Sequence, residues 1–373
     1  MFHLRITNNI KMSTFIMDKS QLQSGFAFKT SGFNVLIVVT FLALLAALVG
    51  CSSAKLAPVA SPSLPQPLVA QRADPWVHKH SDGYYYFIAT VPAYDRLEMR
   101  RATTIAGLRS APAVVVWQRN TIGGMSANIW APELHFIDGK WYIYVAAATD
   151  HNKPWTIRMH TLSNASANPM QGEWQEEGRF HTPLDTFSLD ATTFEHRGKR
   201  YLVWAQQNEA RTYNSALLIA QMDSPTSITG PIVTLSEPTL PWEIIGHKVN
   251  EGAAVIKHGK RIFISYSASA TDHNYAMGLL WADENADLLD AASWTKSPEP
   301  VFYSNEQLKR FGPGHNCFVK AEDGVTDLMV YHARDYKEID GEPLRDPNRH
   351  TRVRKVYWDE QGMPDFRQHE ADL

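Results

Sequence analysis

One unit recurs five times along this chain, a glycine turn followed by a strand rich in aromatic and β-branched residues. It reads DGYYYFIAT around Gly83, DGKWYIYVAAA around Gly139, RGKRYLVWAQ around Gly198, HGKRIFISYSA around Gly259 and, more weakly, DGVTDLMVYHA around Gly324. The intervals between these glycines are 56, 59, 61 and 65 residues, close to the length of one four-stranded sheet with its loops. A period of that size means radial or solenoid repetition. Copies built of short strands, with little helical periodicity, favour an all-β fold, a five-bladed β-propeller whose first strands line a central channel.

A propeller brings equivalent positions of its blades together on the axis. Eight or nine residues before each turn glycine stand Asp74, Trp130, Asp190, Glu251 and His315. Three carboxylates, an indole and an imidazole should therefore meet in one channel. Each has an ordinary reading when taken singly: Asp74 precedes Pro75 in a turn-initiating pair, Trp130 suits a core as well as a sugar platform, and Asp190 and Glu251 stand before small residues as satisfied channel groups. Their common register argues against coincidence. Glu133, shortly after Trp130, is read as a supporting residue. His315 can hold an ion through water or bond the channel wall, and no second histidine lies at a zinc-like spacing from it.

The remainder bounds the setting. A net charge of −3 on 373 residues offers no basic surface for nucleic acid. Eleven tryptophans and fourteen tyrosines supply faces that stack on sugars, although strand cores account for most of them. Residues 1–50 read as a signal peptide, with lysines ahead of an apolar run, Val35 to Val49, that is short for a membrane span. Translation from Met12 or Met17 would shorten its long basic region. Residues 51–71, rich in Pro, Ser and Ala, read as a tether, and residues 72–373 as the propeller domain. Cys317 is the one cysteine of that domain, so no disulfide forms within it.

The segments RADPWVHKHSDGYYYF, NIWAPELHFIDGKWYIYVAA, SLDATTF, VNEGAAV and GPGHN, in this order, resemble the blade signatures of glycoside hydrolase family 43, in particular its α-L-arabinofuranosidase and arabinan-trimming members, over residues 72–360. The resemblance implies Asp74 as general base, Glu251 as general acid and Asp190 as the carboxylate that orients the acid and modulates its pKa. It also implies an ion, often calcium, near His315, and a substrate-binding role for Arg334; Trp130 is expected to contact the sugar. No cofactor is required for the chemistry. The sequence LVGC at 48–51 resembles a bacterial lipobox, which implies lipidation at Cys51 and an exported protein anchored to a membrane, periplasmic or at the cell surface.

Glycoside cleavage needs a proton for the leaving oxygen and an activated water for the anomeric carbon. Two carboxyl groups in unlike environments divide that work, with Glu251 expected to be kept protonated by burial and by the charge of Asp190. Carboxyls on blades one and four fit the spacing of roughly 6.5 to 9.5 Å that inversion requires. With the sugar taken from the resemblance, the expected protein is a monomeric, inverting enzyme that releases terminal α-L-arabinofuranosyl residues from arabinan or other arabinose-containing polysaccharides. A β-xylosidase or endo-arabinanase of the same family and a non-catalytic carbohydrate-binding propeller remain open at this point. Trp242 to Lys248 and Asp335 to His350 are the segments expected to wall off the pocket.

Overall fold

The computed structural model describes residues 66–373; the signal segment and Cys51 lie outside the described residues. Four antiparallel sheets of four strands follow one another along the chain. The first holds β1 (Ala73–Lys79), β2 (Tyr85–Thr90), β3 (Arg96–Ala102) and β4 (Val114–Gln118). The second holds β5 (Ala127–Ile137), β6 (Lys140–Ala148), β7 (Arg158–Asn164) and β8 (Gln175–Arg179). The third is β9 (Ser188–His196), β10 (Lys199–Gln206), β11 (Ala216–Ser224) and β12 (Ser227–Ser236), and the fourth β13 (Asn250–His258), β14 (Arg261–Ala268), β15 (Ala276–Asp283) and β16 (Thr295–Lys296). A fifth sheet has β17 (Phe311–Lys320), β18 (Asp327–Arg334) and β19 (His350–Lys355). The inner strands touch in the order β1, β5, β9, β13, β17 and back to β1, which closes a five-bladed propeller.

The five repeated glycines are the turns between first and second strands. All have positive φ, from 56° at Gly259 to 89° at Gly83, and a β-carbon at any of them would meet nothing within 4 Å. Glycine is therefore required there for its backbone and not for space. The strands that follow are largely enclosed; β2, for instance, is buried along its whole length. Neighbouring blades cover both their faces. Apolar clusters accordingly lie between blades: Tyr86 and Met99 of the first pack with Trp141 and Ile143 of the second. Tyr144 of the second packs with Trp204 of the third. Burial of each such side chain contributes about 1.5–3 kcal/mol. With the apolar residues placed between blades, the axis is left to polar groups.

The ring closes on an N-terminal segment rather than at residue 72. Leu68 and Val69 are buried, and the backbones of both bond to Thr351 of β19. Gln66 Nε2 donates to the carbonyl of Leu373 at 2.7 Å. The last residues of the expected tether are thus part of the packed fold, because the three-stranded fifth sheet has an edge that they cover. The last strand of the fifth sheet ends at Lys355, and β20 (Tyr357–Trp358) pairs instead with β21 (Pro364–Asp365). Among the described residues no helix is long and apolar enough to cross a membrane.

Candidate active site

Each inner strand breaks its register with the second strand of its blade near one end. The breaks fall between Ala73 and Trp76, Trp130 and Glu133, Glu251 and Ala254, Gly314 and Cys317, and opposite Trp204 in the third blade. At each break one residue has left-handed backbone: Asp74 (φ 52°), Ala131 (44°), Asp190 (55°), Gly252 (59°) and His315 (42°). Such bulges re-aim side chains, here toward the axis. Left-handed backbone at four non-glycine residues is local strain of the kind that gathers at functional sites. Counting back from the turns matches the left-handed residue in blades one, three and five. Trp130 and Glu251 stand one residue before it.

These positions line one cavity of about 320 Å³, whose wall includes Asp74, Trp130, Asp190, Glu251, His315 and Arg349. Its size is that of a small-ligand pocket. His247 comes to it from the first of the expected wall segments, and Leu344 and Arg349 come from the second. Trp155, in a short turn of blade two, and Phe187 complete an apolar side.

The three acids have different surroundings. Asp74 is buried and accepts a 2.6 Å hydrogen bond from the Thr90 hydroxyl, which is itself fixed by the Ala131 N–H at 2.7 Å. Arg349 Nη1 lies 3.4 Å from Asp74 Oδ1, His315 Nδ1 3.4 Å and His332 Nδ1 3.3 Å. Burial opposes ionisation of Asp74, but the Arg349 guanidinium and the two histidines outweigh it and hold the carboxyl below the usual carboxylate range. Glu251 is half-buried and accepts a 2.8 Å hydrogen bond from the Tyr275 hydroxyl. Burial, aided by the charge of Asp74 and opposed by Tyr275 and Arg349, pushes its carboxyl up to about 7. Asp190 is 3% exposed and accepts the Gly252 N–H at 3.0 Å. Burial and then the charges of Glu251 and Asp74 raise it well above its ordinary value. One cavity therefore holds a carboxylate that stays ionised beside a pair that retains a proton to near neutral pH.

The family description "Glycosyl hydrolases family 43" matches residues 64–364. The chain belongs to this family. An extracellular exo-α-(1→5)-L-arabinofuranosidase of Streptomyces avermitilis is 54% identical to it over 337 residues, 89% of this chain and 70% of that protein. "Alpha-L-arabinofuranosidase 43" of Humicola insolens is 56% identical over 80% of this chain, and the chain spans 62% of that relative's length. The crystal structure of an α-L-arabinofuranosidase from Lactobacillus brevis superposes with a TM-score of 0.78 at 51% identity, covering 81% of this chain and 95% of the other.

Within this family 43 propeller, the residues expected from sequence are not all on the cavity. Arg334 is 1% exposed and lies behind the wall: its Nη1 and Nη2 donate to the carbonyls of Thr271 and Pro343 at 2.7 and 2.8 Å. It ties Thr271 of the cavity wall to Pro343 of the second wall segment, and its Nε lies 3.7 Å from Asp346 Oδ2. The arginine on the cavity is Arg349. Glu133 lies off the cavity, buried and 2.9 Å from His135 Nε2. Trp130 lines the cavity with its ring edge-on to Tyr94, centroids 5.6 Å apart.

Arg349, Tyr275 and His332 were not singled out from the sequence. One signal was available, since an arginine directly before a buried strand needs an acidic partner inside the fold. For an ion, His315 offers a single imidazole, held by a 2.8 Å bond from its backbone N–H to Ser267 Oγ. Among the described residues no three His, Cys, Asp or Glu side chains are grouped to hold a metal. The protein groups alone thus do not compose an ion site, and no step of the chemistry is drawn through one.

Gly252 has a second duty at the site. A β-carbon there would stand 2.9 Å from Cγ of the His315 ring, on a backbone with φ 59°. Changing Gly252 to Ala should displace His315 and the N–H that holds Asp190. A loss of about 1–3 kcal/mol in stability is expected, together with a fall in kcat/KM larger than any fall in folded fraction. Thermal melts run beside kinetics check both.

Proposed function

We propose that the chain is an exo-acting α-L-arabinofuranosidase that releases terminal α-L-arabinofuranosyl residues from arabinan or other arabinose-containing polysaccharides with inversion. The observation that carries this reading is the opposite displacement of two carboxyl groups on one small cavity, Asp74 downward and Glu251 up to about 7. Relatives named for this activity, at 54 and 56% identity, support the choice of sugar.

In this reading Glu251 gives its proton to the glycosidic oxygen as that bond breaks. Asp74 takes a proton from the water that attacks the anomeric carbon from the other side. The Tyr275 hydroxyl orients the acid, and Arg349 and Thr90 hold the base. No covalent intermediate forms, and exchange with solvent restores both groups. A calcium ion of the sort the resemblance implies would be held at His315 mainly through water and takes no part in these steps. The catalytic unit is proposed to be one monomer, in which each of the five blades brings a residue to the cavity.

The reading fixes a pH profile. The competent form has Glu251 protonated, so kcat/KM should fall as pH rises through about 7. Asp74 stays ionised below the usual carboxylate range, so it should add no acid limb above that range. A rate profile on a neutral arabino-oligosaccharide measures both limbs.

The test of the reaction is proton NMR of the sugar first released from 4-nitrophenyl α-L-arabinofuranoside, run beside the β-D-xyloside and linear arabinan. The β-anomer of arabinose, and monosaccharide alone from arabinan, are expected. First release of the α-anomer would overturn inversion, xylose alone would overturn the sugar, and arabino-oligosaccharides from arabinan would overturn exo action.

Export belongs to the same proposal, supported by relatives from Streptomyces avermitilis and Streptomyces chartreusis that are named extracellular. Lipid attachment at Cys51 is proposed on the LVGC sequence. Labelled palmitate should enter the wild type and not Cys51→Ala.

A further inference from the structure

A second cavity of about 320 Å³ adjoins the first, sharing Trp155, Phe187 and Gln207 as walls. Trp155 is 61% exposed, an indole face that a sugar can cover on its way from one cavity to the other. The lining of the second cavity is cationic. It carries three guanidinium groups, those of Arg158, Arg179 and Arg211, against one carboxylate, Asp185.

The pairing leaves a surplus of positive charge. Asp185 Oδ1 accepts from Arg158 Nε at 2.8 Å and from Arg179 Nη2 at 2.6 Å, so one carboxylate serves two arginines. Arg179 Nε is buried and has no partner. Arg211 is exposed, sits in a turn tied by Asn208 to the Thr212 N–H at 3.0 Å, and has no ion-pair partner among the described residues. The catalytic cavity keeps its own arginine, Arg349, committed to Asp74. The free guanidinium capacity is therefore on the far side of Trp155 from the acids, where the remainder of a polysaccharide would lie if the terminal sugar occupies the first cavity.

We propose that this second cavity binds the carboxylate of a uronic acid residue on the leaving-group side of the scissile bond. The inference rests on the arabinofuranosidase reading and narrows its substrate to arabinofuranosyl groups carried close to acidic sugars. A planar carboxylate suits the donor fork of arginine, which can offer two parallel N–H groups to it. A neutral sugar would leave that capacity to water. The bond that breaks is unchanged; the carboxylate positions the leaving group.

The experiment compares arabinofuranosyl oligosaccharides that carry uronate with the same oligosaccharides after chemical reduction of the carboxyl groups to neutral alcohols. With the wild-type protein the acidic form should have the higher kcat/KM by about fivefold, the size expected of one partly exposed charged contact. The advantage should shrink as salt is added. It should fall toward unity in the double variant Arg179→Gln, Arg211→Ala, while hydrolysis of 4-nitrophenyl α-L-arabinofuranoside, which carries no carboxylate for the arginines to bind, reports whether that variant is folded and competent. Equal rates on acidic and reduced substrates, or an advantage that survives in a competent double variant, would overturn the proposal. Calorimetric titration of the wild type with arabinose-free trigalacturonate, and with its reduced form, provides a readout that does not need turnover. If the aryl arabinoside is not cleaved, the arabinofuranosidase reading fails, and salt-sensitive binding of trigalacturonate that is lost in the double variant still decides the cationic site.

Discussion

Glu251→Gln should cut kcat/KM on arabino-oligosaccharides by about 10²–10⁴, the contribution usual for a positioned general acid. Gln keeps the shape and can still meet the Tyr275 hydroxyl that now bonds Oε1 at 2.8 Å. What it lacks is the proton. The loss should therefore depend on the leaving group: a sugar alkoxide needs protonation as the bond breaks, whereas 4-nitrophenolate leaves with little help. On the aryl arabinoside the variant should retain most of its rate, and the decline of rate above about pH 7 that Glu251 imposes should vanish. Equal losses on both substrates with the alkaline limb intact would mean that Glu251 supports the pocket and the acid is elsewhere. Binding of arabinose should survive the change, which separates loss of chemistry from loss of the site.

The fold was legible because its punctuation is chemical. Gly83, Gly139, Gly198, Gly259 and Gly324 all need positive φ, and no other residue adopts it so cheaply, so the repeat is written in the chain at an even spacing. The strands after these turns are apolar on both faces because blades cover both sides. The same spacing located Asp74, Asp190 and His315 at the axis. In blades two and four the count arrived one residue early, since spacing from the turn says nothing about which side of a bulge a residue takes. That displacement has a consequence: Glu251, one place before left-handed Gly252, is half-buried, while Asp74 and Asp190 on left-handed backbone are buried.

Partners supplied by distant segments left less trace. Tyr275 precedes β15 and meets Glu251 across its own blade, whereas Arg349 precedes β19 and reaches Asp74 only through closure of the ring. Arg334 ends β18 in a run, Tyr331-His332-Ala333-Arg334, that looks the same whether its guanidinium meets a ligand or two carbonyls; the positions of Thr271 and Pro343 decide, and they are set by packing. The seam was hidden for a similar reason. Leu68 and Val69 belong to a stretch whose Pro and Ser content reads as a tether, yet the open edge of the fifth sheet gives them a burial site.

Asp74→Asn tests the other half of the chemistry and should behave differently from Glu251→Gln in two ways. Removal of a general base slows attack of water whatever the leaving group, so arabino-oligosaccharide and aryl arabinoside should lose comparable factors, about 10²–10⁴. Asn tolerates left-handed backbone, and its amide can keep the 2.6 Å contact with Thr90, so the site should remain assembled. The second difference is electrostatic. The charge of Asp74 raises Glu251, while Arg349, now without its counter-ion, pulls Glu251 down. Both changes have the same sign, so the alkaline limb of the residual activity should move to lower pH than about 7. Stability should also fall, by about 3–5 kcal/mol if the Arg349 charge remains buried without its partner. An activity loss confined to one substrate, or a limb that stays in place, would show that Asp74 neither activates the water nor acts on the acid across the cavity.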